Sequence, residues 1–191
     1  MFTTEEQYLE IERNAEYKSE YFAGEMRAMK GANESHNLIT VNLAANLSQQ
    51  FRDRPCRVYS SDMRVSIPAT GLYTYPDVIA VCGEPKFRDE QRDTLLNPNL
   101  VVEVLSPSTE AYDRGRKFEH YRSVGSMMEY LLVSSDRVHV DLYTRQADGR
   151  FLLTSAGDPS ATLELESAGC RVTLSSLYEK VEFPPAGAPA Q

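Results

Sequence analysis

Hydrophobic and polar positions change rhythm several times along this chain, and each change marks an element. Thr3 and Thr4 precede EEQYLEIERN, where Thr3 with Glu6 predicts a capping box and a helix running to about Arg13. EYKSEYFAGEMRAMK holds two β-prone segments around Ala23-Gly24, and Gly24 is free to take positive φ, so a hairpin is expected. In SHNLITVNLAANLSQQF, Leu38, Val41, Ala45 and Leu47 fall near helical spacing. They predict an amphipathic helix from about 34 to 51, capped by Asn33 or Ser35. CRVYSSDMRVSIPATG then alternates as strands do, with Pro68 and Gly71 closing a turn. TYPDVIAVCG is a short apolar run behind Pro76, and GEPKFRDEQRDTLLNPN is a polar connection.

NLVVEVLSPST is different. Its aliphatic run reads as a strand buried on both faces, yet Glu103 stands in the middle. SPSTEAYDRGRKFEHYRSVG predicts a loop into a helix over about 110–124, with Tyr112, Phe118 and Tyr121 toward one side and Gly125 ending it. MEYLLVSS and RVHVDLYTR are two more strands, the second with Val138, Val140 and Leu142 on one face. RFLLTS and ATLELES continue this strand-rich end, and LSSLYEKV forms a short last helix. PPAGAPAQ has no core-forming residue and is expected to be a disordered tail.

The order of elements is helix, hairpin, helix, strands, helix, strands. It predicts an α/β (α+β) fold, a mixed sheet with helices against it, as one domain over residues 1–183 with a tail at 184–191. At 191 residues, 41% hydrophobic and 25% charged, the composition is that of an ordinary globular domain. No apolar run approaches the roughly 18 residues of a membrane helix. MFTTEEQ resembles no signal or transit peptide, so a cytoplasmic location is expected. Cys56, Cys82 and Cys170 are odd in number and form no CxxC pair, which suggests three reduced cysteines. The formal charge of −8 counts against a general DNA-coating protein. It leaves room for an enzyme that touches phosphate at one cleft.

A carboxylate in a buried strand costs several kcal/mol unless something pairs with it. Asp77 opens the apolar strand DVIAVC at a position comparable to that of Glu103. If the two strands are neighbours, the acids face one another at one end of the sheet, where a hard divalent cation such as Mg²⁺ would neutralise them. Lys117 stands one helical turn after Asp113, on a helix that begins eight residues beyond the Glu103 strand. An ammonium there suits the charge of a phosphodiester under attack, and the basic residues around it suit backbone phosphates. The bland alternatives are a cap at the start of a strand for Asp77, a structural arginine partner for Glu103, and a solvated surface lysine for Lys117. Ser106, Ser108 and Thr109 sit in no GxSxG elbow and read as a loop that caps the following helix.

YPDVIAV, NLVVEVLSPST and DRGRKFEHYRSVGSMMEYLLV together resemble the Uma2 family of restriction endonucleases, within the PD-(D/E)XK nuclease superfamily. SEYFAGE resembles that family's glutamate-and-glycine hairpin, SHNLIT its histidine-starting helix, and YSSDMRVSI its third block; the likeness covers roughly residues 3–183. The resemblance implies a restriction-endonuclease-like core and Mg²⁺-dependent phosphodiester hydrolysis, with Mn²⁺ as a substitute. Asp77 is then the motif aspartate and Glu103 the motif acid. The usual lysine position, two residues on, is occupied by Leu105, and Lys117 resembles a lysine that has migrated to the next helix. Glu20 resembles an upstream glutamate that joins the site, and His36 a secondary member. The expected substrate is DNA, cut to leave a 5′-phosphate. Cutting both strands needs two sites, so a homodimer is expected. The competing reading is a non-catalytic binding or regulatory module that kept the fold.

Overall fold

In the computed structural model, which describes residues 2–183, the first helix α1 (Glu5–Asn14) is capped by Thr4. The Thr4 hydroxyl accepts from the Gln7 N–H, and the Gln7 side chain accepts from the Thr4 N–H. The capping box therefore lies one residue later than the Thr3–Glu6 pair. Strands β1 (Ser19–Phe22) and β2 (Glu25–Ala28) form the expected hairpin. Ala23 and Gly24 both have positive φ, 51° and 88°, as a tight two-residue turn requires.

Helix α2 (Glu34–Gln50), capped by Asn33, buries Ile39, Leu43 and Leu47. The face predicted from Leu38, Val41 and Ala45 is corrected: Val41 is 62% exposed and Ala45 is exposed. Apolar residues surround most of this helix, so spacing alone does not single out the packed stripe.

Strands β3 (Cys56–Ser60), β4 (Arg64–Ile67), β5 (Leu72–Thr74), β6 (Val78–Cys82), β7 (Thr94–Leu95) and β8 (Leu100–Leu105) follow. A helical segment comes next: α3 (Glu110–Tyr112), a π-helical turn over Asp113–Lys117, and α4 (Phe118–Tyr121). The remainder is β9 (Glu129–Ser134), β10 (Val140–Arg145), β11 (Phe151–Ala156), β12 (Thr162–Leu165), β13 (Cys170–Thr173) and the short α5 (Leu174–Leu177). The predicted tail 184–191 lies outside the described residues.

The central sheet has the order β11-β10-β9-β8-β6-β3. Its β8 and β9 are parallel and the other pairs antiparallel, so the sheet is mixed. A second sheet, β2-β1-β5-β4-β7, and the β12-β13 pair complete the strands. All of β8 is buried because both faces are covered. Leu100, Val102 and Val104 pack with Ile39, Leu43 and Leu47 of α2. Val101 and Leu105 pack with Tyr121, Tyr130 and residues of the second sheet. Glu103 belongs by alternation to this second face.

Cys56 and Cys82 are partners in the β3–β6 register and are joined as a disulfide. The expectation of three reduced cysteines is therefore corrected, and only Cys170 is free among the described residues. The two halves lie 26 residues apart in an unremarkable spacing, and only strand register brings them face to face.

Helix α1 is tied to the connection before β7 by Arg13, which donates to Asp93 at 2.7 Å and to Asp89 at 2.7 Å. Hydrogen bonds from Arg13 hold the Asp93 carboxyl down to about 2. Because the folded value lies below the ordinary 3.8, the stabilisation is present above the ordinary value and is lost as pH falls toward about 2. Asp93 is about a third exposed, so solvent screens the pair. Asp93→Asn is expected to cost about 1 kcal/mol at neutral pH. Chemical denaturation at several pH values should show that gap closing in strong acid.

Candidate active site

The carboxylates meet where β6 and β8 end beside the π-helical turn. Val78 pairs with Val102 in antiparallel register, so the next step along each strand sets Asp77 beside Glu103. An Asp77 oxygen accepts the Val104 N–H at 2.7 Å and lies 3.3 Å from His36 Nε2. Pro76 and this hydrogen bond fix the aspartate at the sheet's end. His36 reaches it from the first turn of α2.

Glu103 is 4% exposed and Lys117 is also 4% exposed. The Lys117 Nζ lies 2.9 Å from Glu103 Oε1, 3.4 Å from Glu20 Oε1 and 3.5 Å from Asp113 Oδ1. One ammonium thus serves three carboxylates. Asp113, Lys117 and Tyr121 recur every four residues and all point inward. Tyr121 donates to Glu103 Oε1 at 2.9 Å, and the Thr74 hydroxyl donates to Glu20. The Tyr130 hydroxyl donates to the Asp113 carbonyl at 3.0 Å, which pins the π-helical turn to β9. π turns occur often at functional sites.

Burial sets the electrostatics. It raises the Glu103 pKa well above the ordinary carboxylate value, and repulsion from Asp113 and Asp77 adds to the rise while Lys117 opposes it. Burial likewise raises Asp113, again against the pull of Lys117. For Lys117, burial alone would lower the pKa, but Glu103, Glu20 and Asp113 outweigh it and hold the ammonium well above its usual value. Partial burial, with Glu20 beside it, pushes the Tyr112 hydroxyl up to about 12.

Four carboxyl groups and one ammonium share this pocket of the protein. Carboxylate oxygens in excess are the donor chemistry that suits Mg²⁺. Glu20, Asp77, Glu103 and Asp113 fit such an ion in kind and in charge. Lys117 is the counter-ion their geometry now serves: among the described residues, no three His, Cys, Asp or Glu side chains form a group placed to hold a metal.

Of the residues singled out from sequence, Glu20, Glu103 and Lys117 are in direct contact, and Asp77 stands next to them with His36. Asp113 was not singled out as a member of this cluster. Its spacing of four from Lys117 was the available signal, hidden in a run of charges that reads as a solvated face. Tyr121 and Tyr130 carry no signal at all, since a core tyrosine and a tyrosine that donates to a buried acid look alike in sequence.

The sequence model of the Uma2 family, described as "Putative restriction endonuclease", matches residues 5–175. The chain is 39% identical over 178 residues to the uncharacterized protein slr1290 of Synechocystis sp. (strain ATCC 27184 / PCC 6803 / Kazusa), covering 93% of this chain and 92% of that one. A second protein of that organism, sll1609, is 37% identical over 161 residues, covering 84% and 91%. In three dimensions the chain resembles the crystal structure of a "putative nuclease belonging to DUF820" from Anabaena variabilis ATCC 29413. The TM-score is 0.74 at 19% identity, over 91% of this chain and 96% of that one.

Proposed function

This chain belongs to the Uma2 family, and on that premise we propose that it is a metal-dependent endonuclease that hydrolyses phosphodiester bonds of DNA. The observation that carries the reading is the single ammonium of Lys117 shared by Glu20, Glu103 and Asp113 at the sheet end that also bears Asp77. A purely structural ion pair needs one acid per base. Three acids around one lysine, with a fourth beside them, is a site built to hold more positive charge than the chain supplies.

Asp77 and Glu103, assisted by Glu20, would hold Mg²⁺, with Mn²⁺ as a substitute; such an ion supplies charge for the phosphoryl oxygens and acidity for the attacking water. Lys117 keeps its proton, and its ammonium presents a fixed positive charge to the phosphate under attack. Asp113 and Tyr121 hold Lys117 and Glu103 in place. His36 orients the Asp77 carboxylate. A homodimer would present two such sites to the two strands of a duplex.

The tight Lys117–Glu103 contact favours one other reading, a binding or regulatory module that keeps the acids for structure. Two measurements separate the readings. Supercoiled plasmid and linear single-stranded DNA are incubated with Mg²⁺, Mn²⁺ or chelator, with Asp77→Ala as control. Metal-dependent cutting that vanishes in the variant is expected; equal traces of cutting by both proteins would mean contamination. Mg²⁺ at about 100 times its Kd is expected to add about 2.7 kcal/mol of stability, read as a rise in melting temperature. Absence of both effects would leave the module reading standing.

A further inference from the structure

Beside the acid cluster lies a cavity of about 230 Å³ that the chemistry above does not use. One wall is a face of the β1–β2 hairpin, carrying Glu20, Phe22, Glu25 and Arg27. The opposite wall is a stripe of Tyr112, Arg116 and His120, each four residues from the next. Glu20 and Tyr112 both adjoin Lys117: the Lys117 ammonium is 3.4 Å from Glu20 and 6.0 Å from the centre of the Tyr112 ring. Phe22 and His120 meet edge to face at 4.7 Å. The buried His120 Nδ1 has no hydrogen-bond partner among the described residues. Burial, with Arg116 nearby, lowers the His120 pKa, so the ring is neutral at neutral pH. Arg27 is shared with Glu25 at 3.1 Å, whereas Arg116 is exposed and makes no ion pair among the described residues.

Two aromatic rings, an open guanidinium and a neutral imidazole are the parts that hold a nucleotide: rings stack on a base, and the cation meets a phosphate. The volume falls below the roughly 300–1,000 Å³ of a pocket for a drug-sized ligand, so it admits one base at most. A base still stacked in a duplex cannot enter a recess between a hairpin and a helix. We propose that this cavity seats a single unstacked base beside the phosphate to be cut, so that the preferred substrate is single-stranded DNA or a duplex opened at the site.

This rests on the nuclease reading, and the test keeps the two apart. Binding of a short fluorescent single-stranded oligonucleotide, and of the same sequence as a duplex, is measured by anisotropy with chelator present, so that nothing is cut. The wild type is expected to prefer the single strand by about tenfold, and Phe22→Ala and Arg116→Glu are each expected to lose that preference. Phe22 also packs on the core, so Arg116→Glu, at an exposed position, decides if Phe22→Ala fails to fold. Equal affinity for both forms, or a preference that survives Arg116→Glu, would overturn the proposal. Cutting is scored separately with Mg²⁺. A single-strand preference lost in the variants, without cutting by any protein, would keep the cavity as a base site and sink the nuclease reading. Cutting of intact duplex that Arg116→Glu does not change would do the reverse.

Discussion

Lys117→Met lowers the unfolding free energy by about 3–5 kcal/mol, the cost of removing one partner from a buried charge cluster. The size follows from burial: Lys117, Glu103 and Asp113 are each 4% exposed or less. Without the ammonium, Glu103 and Asp113 face each other with no compensating charge. Methionine fills nearly the same volume, so the effect is electrostatic and not a cavity. The double variant Lys117→Met with Glu103→Gln should recover a substantial part of the loss, because it removes the strongest orphaned acid. The loss should also shrink as pH falls. Burial already sets the folded pKa values of Glu103 and Asp113 above their ordinary values, and a raised carboxylate makes the folded state gain stability on acidification. Urea denaturation at neutral and acidic pH checks both. A loss under about 1 kcal/mol would mean that the lysine is not the cluster's counter-ion.

Glu103→Gln separates activity from stability. Cleavage is expected to fall at least about a hundredfold, since even outer partners of a metal cost about 10–100-fold when removed. Stability, by contrast, should change by no more than about 1 kcal/mol. Glutamine removes a charge that burial opposes, keeps an acceptor for the Tyr121 hydroxyl, and leaves Lys117 with Glu20 and Asp113. Single-turnover cutting and denaturation on the same preparation read the two quantities. A fall in stability that tracks the fall in cutting would instead assign Glu103 a structural role.

Much of this arrangement was legible in the sequence, for identifiable reasons. The β8 run and the Pro76-Asp77 start of β6 stand out because a fully buried strand is apolar except where an acid has a task. Register then follows from the antiparallel pairing. The membership of Glu20 was not readable from its own segment, where alternation makes it an ordinary strand residue; only the resemblance to a family pointed to it. The packed stripe of α2 was misread because Val41 and Leu38 are as apolar as Ile39 and Leu43. Strand β13 has no signal of its own because CRVT is short and holds only two apolar residues, Cys170 and Val172. The Cys56–Cys82 bond depends on register over 26 residues, which no local pattern carries. Asp113 was lost among the charges of DRGRK, where only burial distinguishes a core acid from a solvated one.

The π-helical turn over Asp113–Lys117 has a consequence for lineage. Such a turn is an α-helix carrying one extra residue, so removing Gly115 would restore a regular helix and leave what lies beyond it facing nearly as before. Asp113 and Lys117 would then stand three residues apart instead of four, still on one face of the helix. Chains descended from a common ancestor should therefore occur in two lengths across this turn, with and without the extra residue, and keep the acid and the lysine together in both.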